Sequence, residues 1–150
     1  MSLNNPDAFL QEESANLQDK PIRSLYTVIM TQLQPTILII EKDKATRELY
    51  ERALGERYHI LCATNEQQVM STLVQEMIKA VILEPAGFGE RGWELLANIK
   101  NMSSGRRLPV ILCSSWDERQ RGLEMGASVY FTKPVLPKAL LQALDNLSIR

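Results

Sequence analysis

Five short apolar runs, separated by longer segments with helical spacing, constrain the fold of this chain more than any other feature. Each run has the length of a strand and is mostly apolar, instead of alternating between apolar and polar residues. Strands of that kind are buried on both faces, which requires helices above and below a parallel sheet. The runs lie at Thr36 to Ile40, Tyr58 to Ala63, Ala80 to Leu83, Pro109 to Cys113 and Val129 to Phe131. The sequence therefore predicts an α/β fold with a five-stranded parallel sheet.

Apolar residues at helical spacing mark the helices between these strands. The first helix is expected to stop at Gly55. Between Ser114 and Gly126 there is room only for a short fourth helix, which Gly122 weakens further. The apolar stripes of the helices are expected to face the core. They comprise Ala45, Leu49 and Ala53; Met70, Leu73, Val74 and Met77; Trp93, Leu96, Ile99 and Met102; and Leu136, Leu140, Ala143, Leu144 and Leu147.

A polar leader precedes the first strand, and Gln34-Pro35 marks its end, because proline is typical of strand starts and chain boundaries. We therefore expect an N-terminal extension or linker at 1–34 and one globular domain at 35–150. Within the leader, apolar residues recur at helical spacing after Pro21 and predict a short amphipathic helix. These residues are Ile22, Leu25, Ile29 and Leu33. The sequence leaves three roles open for this helix: packing on the domain, pairing with a partner, or forming the end of a linker.

The charge pattern excludes several classes of function. The chain has 17 lysines and arginines against 18 acids, a formal net charge of -1, and no sustained basic run that would favour nucleic-acid binding. No apolar stretch approaches the ~20 residues that span a bilayer, and the N-terminus does not resemble a signal peptide. We therefore expect a cytoplasmic protein that binds neither nucleic acid nor membrane.

Neither the cysteines nor the histidine predicts a metal site. Cys62 and Cys113 fall on the second and fourth apolar runs and are interpreted as buried, reduced thiols. His59 is the only histidine and has no cysteine or carboxylate at metal-ligand spacing. We expect it to have a structural or surface role.

Several motifs in a fixed order carry a resemblance to a known family. Ile37-Leu38-Ile39-Ile40 leads into Glu41-Lys42-Asp43, Glu84 is followed by Gly92 eight residues later, and Ser114 closes a strand. The segment Gly126-Ala127-Ser128-Val129-Tyr130-Phe131-Thr132-Lys133-Pro134 follows. Over roughly residues 35 to 148 the chain resembles the receiver domain of two-component response regulators. The resemblance implies a doubly wound, flavodoxin-like fold with strand order 2-1-3-4-5.

The resemblance also implies a phosphorylation site at the ends of the strands. In the family, two adjacent acids and a phosphoacceptor aspartate hold Mg²⁺, while a hydroxyl residue and a lysine before proline contact the phosphoryl group. An aromatic residue on the fifth strand turns in or out with phosphorylation. The corresponding positions here are Glu41, Lys42, Glu84, Ser114, Lys133 and Tyr130. The resemblance further makes Pro134 the candidate for a cis peptide bond after Lys133.

Two of these positions depart from the family pattern. Lys42 stands where a second metal-liganding acid is expected, so Mg²⁺ binding is expected to be weak or absent, with no metal ligand assigned. Coulomb attraction would draw Lys42 toward Glu41 or Glu84, and the alternative is that it turns to solvent. Asp43 is an acid at a position that usually caps the next helix. Glu84 is one methylene longer than aspartate, which displaces its oxygen by about a bond length and argues against phosphorylation.

Glu84 supports two hypotheses about the state of the site. Its longer side chain can reach Lys133 and imitate part of the contact of an aspartyl phosphate, which would bias Ser114 and Tyr130 toward the phosphorylated arrangement. In the second hypothesis the site has decayed and has no signalling state.

Trp116 also allows two interpretations: it covers the core beside the short fourth helix, or it anchors a partner.

The sequence therefore predicts a receiver-like domain of a phosphorelay that acts by protein–protein interaction and is not an enzyme. The expected partner is a sensor kinase, an output protein or another receiver, and a homodimer is left open. One alternative is a receiver phosphorylated on Glu84. A more distant alternative is a flavodoxin-like enzyme that binds a nucleotide or flavin, although Glu41-Lys42-Asp43-Lys44 lacks the glycines that cradle phosphates. We expect no output domain after the last helix, in either a stand-alone regulator or a piece of a longer protein.

Overall fold

The computed structural model describes residues 20–102 and 107–150, and the chain divides into two units after Leu33. The first unit contains the helix α1 (Lys20–Leu33), in the part of the leader where the apolar spacing predicts one. Its apolar side chains, among them Leu25 and Leu33, are largely exposed. The rest of the predicted extension, residues 1–19, lies outside the described residues.

The second unit is a parallel sheet with helices on both faces. In chain order it contains β1 (Thr36–Ile40), α2 (Lys44–Leu54), β2 (His59–Ala63), α3 (Glu66–Gln75), β3 (Ile78–Leu83), a 3-10 helix (Ala86–Phe88), α4 (Glu90–Asn101), β4 (Val110–Ser114), α5 (Arg119–Glu124), β5 (Val129–Thr132) and α6 (Pro137–Asn146). All the strands pair in parallel, in the order β2-β1-β3-β4-β5. This confirms the predicted five-stranded α/β fold and its flavodoxin-like strand order.

The core consists of two hydrophobic clusters, one on each face of the sheet. Successive side chains of β1 belong to different clusters, because side chains on a strand alternate between its two faces. One cluster adds residues of α3 and α4, and the other adds residues of α2 and α6. Burial on both faces accounts for the apolar runs from which the strands were predicted.

The predicted core stripes are wrong at several positions. In α2 the buried residues are Tyr50 and Leu54, whereas Leu49 is exposed, so the predicted stripe is one residue out of phase. Val74 is exposed although it lies within α3, of which only Val69 is buried, and Met77 is exposed because it lies beyond the end of α3 at Gln75. Amphipathic spacing thus identified the helices and the buried faces of α4 and α6, but not the face of α2 that contacts the sheet.

Two further predictions of burial need correction. Leu136 is exposed because it lies just before α6 and acts as its N-terminal flanking residue, outside the helical face. Cys62 is exposed, whereas Cys113 is buried, and neither forms a disulfide. The difference follows from strand position, since β2 lies at the edge of the sheet and β4 is flanked by strands on both sides.

Local signals in the sequence explain where several helices begin and how long they are. The Asp43 and Asn65 side chains cap α2 and α3 by accepting backbone N–H hydrogen bonds from Thr46 and Gln68. The helix α5 has only 6 residues, as the short segment before Gly126 predicts.

Within residues 20–102 and 107–150, no helix has the length and apolarity needed to cross a membrane.

Candidate functional site at the carboxyl edge of the sheet

Four side chains named from the sequence meet at the carboxyl ends of the strands. Glu41 follows β1, Glu84 follows β3, Ser114 ends β4 and Lys133 follows β5. Because parallel strands end at the same edge of a sheet, the fold places these four positions side by side. Glu41 is 4% exposed, Glu84 5% and Ser114 0%, so the site is formed largely of buried polar groups.

The ammonium group of Lys133 lies between the two carboxylates. Its Nζ is 2.7 Å from Oε2 of Glu41 and 3.0 Å from Oε2 of Glu84. The backbone N–H of Lys133 donates to the carbonyl oxygen of Ser114 at 2.8 Å, which extends the pairing of β4 and β5. The peptide bond between Lys133 and Pro134 is cis, as the resemblance implies. The ion pair expected between Glu84 and Lys133 is therefore present, with Glu41 as a second carboxylate partner.

The remaining carboxylate oxygens are bound by backbone N–H groups. Oε1 of Glu41 accepts a hydrogen bond from the N–H of Asp43 at 2.9 Å, and Oε1 of Glu84 accepts one from Ala86 at 3.0 Å. Oε2 of Glu84 contacts Lys133 at ion-pair distance, but the contact is not aligned as a hydrogen bond. Each carboxylate is thus held at both oxygens, and Glu84 depends on Lys133 for its second contact.

Charge and burial act against each other in this cluster. Burial raises the pKa of the Glu84 carboxyl above its usual value, Lys133 opposes the shift, and the charge of Glu41 adds to it. For Lys133, burial lowers the pKa, but the contacts with the charged carboxylates of Glu41 and Glu84 outweigh it and the net pKa is raised. The lysine therefore stays cationic at neutral pH.

Lys42 does not contact the two carboxylates, which corrects the expectation that it is drawn to Glu41 or Glu84. Its Nζ lies 4.4 Å from the centroid of the Phe88 ring, and the side chain is exposed. In the described part of the chain it forms no ion pair. The negative charges of Glu41 and Glu84 are already compensated by Lys133, which is less exposed than Lys42. Lys42 therefore packs on the face of the Phe88 ring instead.

Asp43 serves as a helix cap and does not replace the missing acid. Its Oδ2 accepts a hydrogen bond from the backbone N–H of Thr46 at 2.8 Å, and this bond lowers the pKa of the Asp43 carboxyl. Arg47 donates to the backbone carbonyl of Glu41 at 2.8 Å. The turn after β1 is therefore fixed with its acid directed toward the helix.

The donor set of this site does not fit a Mg²⁺ ion. Magnesium requires several oxygen ligands in near-octahedral geometry. Here the Oε2 atoms of Glu41 and Glu84 share the ammonium of Lys133, and Asp43 is engaged as a cap. Among the described residues, no group of three or more histidine, cysteine, aspartate or glutamate side chains is arranged to hold a metal.

Tyr130, the aromatic residue of the predicted switch pair, is turned into the protein. It is 2% exposed, its hydroxyl donates to the carbonyl oxygen of Trp116, and it accepts from the N–H of Glu118 at 3.0 Å. The Oγ of Ser114 accepts from the N–H of Trp116 at 3.3 Å. Both switch residues therefore bind the loop that connects β4 to α5.

The indole of Trp116 is 67% exposed, so the interpretation of this residue as a cover for the core is wrong.

The structure also reveals contacts that the sequence did not predict. Phe88 receives the Lys42 ammonium, and Arg121 lies over the Trp93 ring while it pairs with Glu90. The aromatic and basic residue types were visible in the sequence, but their pairing depends on the packing of α4 against α5 for Arg121 and on two neighbouring loops for Lys42.

Comparisons with known proteins agree with this fold. The family model for the response regulator receiver domain matches residues 37–145. The chain is 30% identical over 122 residues to an uncharacterized 14.6 kDa protein in the sodA1 3' region of Leptolyngbya boryana, covering 79% of this chain and 93% of that one. It is 32% identical over 113 residues to the phosphate regulon transcriptional regulatory protein PhoB of Pseudomonas aeruginosa, covering 73% of this chain and 49% of PhoB. The chain thus spans about half the length of that regulator.

A solved structure shows the same fold. A response regulator from Thermotoga maritima superposes with a TM-score of 0.67 and 23% sequence identity, covering 77% of this chain and 98% of that one.

Proposed function

This chain belongs to the response regulator receiver family of two-component signalling, and from that premise we propose that it signals without phosphorylation of the usual kind. Its output is binding to another protein: a sensor kinase, an output protein or another receiver, with a homodimer among the forms to be tested. The receiver fold serves here as an interaction domain, without enzymatic activity and without nucleic-acid binding of its own.

The observation that carries this proposal is the position of Lys133 between Glu41 and Glu84. An acceptor carboxylate must present a free oxygen to the phosphorus, with a cation to neutralise the charge that moves. Both oxygens of Glu84 are engaged, by Lys133 and by the N–H of Ala86. The ammonium also supplies part of the positive charge that a divalent cation would bring.

Geometry supports the same conclusion. The extra methylene of glutamate displaces the nucleophilic oxygen by about a bond length, and misplacement of about 1 Å is enough to lower a reaction rate a hundredfold. The cation site is altered as well, because Lys42 packs on Phe88 instead of contributing an oxygen ligand. We therefore expect Mg²⁺ to bind weakly or not at all.

The proposal extends to the state of the switch. In it, the contact between Glu84 and Lys133 takes the place of the contact between an aspartyl phosphate and the lysine. The inward position of Tyr130 and its hydrogen bonds to the loop after β4 support an arrangement that is set without a phosphoryl group. Such a pair can bias the switch only through a difference in its strength between the two arrangements.

Treatment with acetyl phosphate and Mg²⁺, followed by intact-mass measurement, tests the proposal. We expect no phosphoryl adduct on the chain, because the Glu84 oxygens are misplaced by the extra methylene and Lys133 lies against Oε2. The matched variant Lys42→Asp with Glu84→Asp returns both acids to the family pattern and is expected to gain the adduct. A competent receiver treated in parallel shows that the reagent is active.

Two results would contradict the proposal. A stable phosphoryl adduct mapped to Glu84 would favour the alternative of a receiver phosphorylated on glutamate. Saturable NMR shifts around Glu41 and Glu84 at low millimolar Mg²⁺ would show that the ammonium does not displace the cation.

A further inference from the structure

Trp116 presents a large apolar surface to solvent at a position that the site itself controls. Its indole is 67% exposed, whereas Trp93, the other tryptophan of the chain, is only 4% exposed. Tryptophan is among the residues that contribute most to binding energy at protein interfaces, where its apolar body is covered and its N–H finds an acceptor. Such exposure indicates a surface that a partner can cover.

The backbone around Trp116 is fixed while its side chain is free. Its N–H donates to the Oγ of Ser114 at 3.3 Å, and its carbonyl accepts from the hydroxyl of Tyr130. The N–H of Glu118 donates to the same hydroxyl at 3.0 Å. Because this backbone is already held and a tryptophan side chain has few rotatable bonds, little conformational entropy is lost when a partner binds.

A groove with acidic walls runs beside this indole. Its volume is about 480 Å³, and it lies between the start of α4 and the loop after β4. Its lining includes both tryptophans together with Glu90, Asp117 and Glu118. The groove thus offers aromatic faces and carboxylates together, the combination that recognises a cation on an apolar stem.

An arginine of the chain itself shows how the groove binds a cation. The Arg121 guanidinium lies 4.3 Å from the centroid of the Trp93 ring, and its Nη2 pairs with Oε2 of Glu90 at 2.8 Å. Its Nη1 lies 3.3 Å from Oε1 of Glu118. Within residues 20–102 and 107–150, no cation lies over Trp116, and Asp117 forms no ion pair. Trp116 and Asp117 therefore line the same groove as a second aromatic and acidic pair, with no cation of the described residues between them.

We propose that this groove binds an arginine-bearing segment of a partner protein, with the guanidinium over the indole of Trp116 and its charge paired with Asp117. The inference deepens the proposed function, on which it rests, by giving the chemistry of the segment that the partner presents. Charge complementarity selects a basic segment, because Arg121 neutralises only part of the acidic wall. Since Tyr130 and Ser114 hold the same loop, the occupant of the groove contacts a surface whose position depends on the switch.

Two-dimensional NMR of the full chain, following the backbone amide signals and the two indole N–H signals, tests this inference. The probe is an acetylated and amidated hexapeptide of alternating arginine and alanine, and the control is the same peptide with glutamate in place of arginine. We expect the arginine peptide to shift the Trp116 signal and to leave Trp93 less affected. Trp116→Ala should weaken binding about fivefold or more, and Asp117→Asn about threefold.

The matched control is Leu136→Ala, which removes an exposed apolar side chain outside the groove and should leave the affinity unchanged. Equal binding of the glutamate peptide, equal weakening by Leu136→Ala, or no shift of Trp116 at millimolar peptide would each overturn the inference. Because Trp116 and Asp117 are exposed, neither substitution is expected to disturb folding, and Asp117→Asn provides a second, conservative test. Phosphorylation of Glu84 would overturn the proposed function whatever the peptide does, so the two failures are distinguishable.

Discussion

Lys133 is the residue on which the charge balance of the site depends. In the described part of the chain it is the only cation in contact with both Glu41 and Glu84, whose carboxylates are almost fully buried. Removing one partner of a buried ion pair leaves the others without compensation, which is far more costly than never having had the pair. The stability of the fold and the state of the site are therefore linked at this one side chain.

Replacing Lys133 by methionine should destabilise the protein strongly. We expect Lys133→Met to lower the free energy of unfolding by about 2–4 kcal/mol, less than for a fully buried pair because the lysine is partly solvated. Lys138→Met, at an exposed position on α6, is the control and should stay within about 0.5 kcal/mol of the wild type. Urea denaturation measures both. A loss no larger than that of the control would show that solvent compensates the carboxylates without the lysine.

At the scale of elements, the close approach of α5 to the sheet is what keeps Tyr130 in place. A Cβ atom added at Gly122 would lie 2.7 Å from Cδ2 of Tyr130 and 2.8 Å from Cδ1 of Leu112. Only glycine therefore allows this short helix to cover the aromatic ring at the observed distance. Gly122 has a packing function here, although the sequence suggested only that it weakens the helix.

Gly122→Ala should therefore destabilise the protein and displace Tyr130. Overpacking costs about 1–3 kcal/mol, whereas the gain in helix propensity is about 1 kcal/mol at most. Thermal or urea unfolding measures the loss, and the NMR signals of the Tyr130 ring report its displacement. The control is Gly87→Ala, where the atom nearest to the new Cβ would be Lys42 Cβ, at an ordinary contact distance of 3.5 Å. A stabilised Gly122→Ala protein with an unshifted Tyr130 would contradict this account.

The strands, the short α5 and the identity of the site positions could be predicted from the sequence. Parallel strands buried on both faces leave apolar runs, and the resemblance supplied the strand order that brings Glu41 and Glu84 together. The sequence did not show which face of α2 contacts the sheet, because a stripe that contains Leu49 and one that contains Tyr50 differ by a single residue. It also did not show which side chain Lys42 contacts. Both Lys42 and Lys133 could pair with Glu41 and Glu84, and only the fold determines which lysine lies closer to them.

At the scale of the whole molecule, the buried charges make stability depend on pH. Burial raises the pKa of Glu84 above its ordinary value of 4.5, and Lys133 opposes the shift without cancelling it. A carboxyl whose pKa is raised by folding contributes stability below its unfolded pKa, and the contribution is lost as the pH rises through the folded value. Ionisation of Glu84 in the folded protein therefore lowers the free energy of unfolding of the whole domain.

Glu84→Gln isolates that contribution, because glutamine is neutral at every pH. As the pH rises from below 4.5, the free energy of unfolding of the wild type should fall relative to the variant. The difference should become constant above the folded pKa of Glu84. Urea denaturation at a series of pH values measures it, with Glu94→Gln at an exposed position of α4 as the control. A difference that moves in the opposite direction would show that Lys133 lowers the pKa of Glu84 below its ordinary value.

The lysine held between two carboxylates has a consequence for how a signal would be timed. A phosphoryl group is lost by hydrolysis, so a phosphorylated receiver measures how recently its kinase was active. Lys133 is part of the chain and does not decay. Under the proposed function, the strength of the output follows the number of copies of the protein and the competition among its partners. Control then belongs to synthesis and degradation, and the domain acts as a dosage-dependent component instead of a timer.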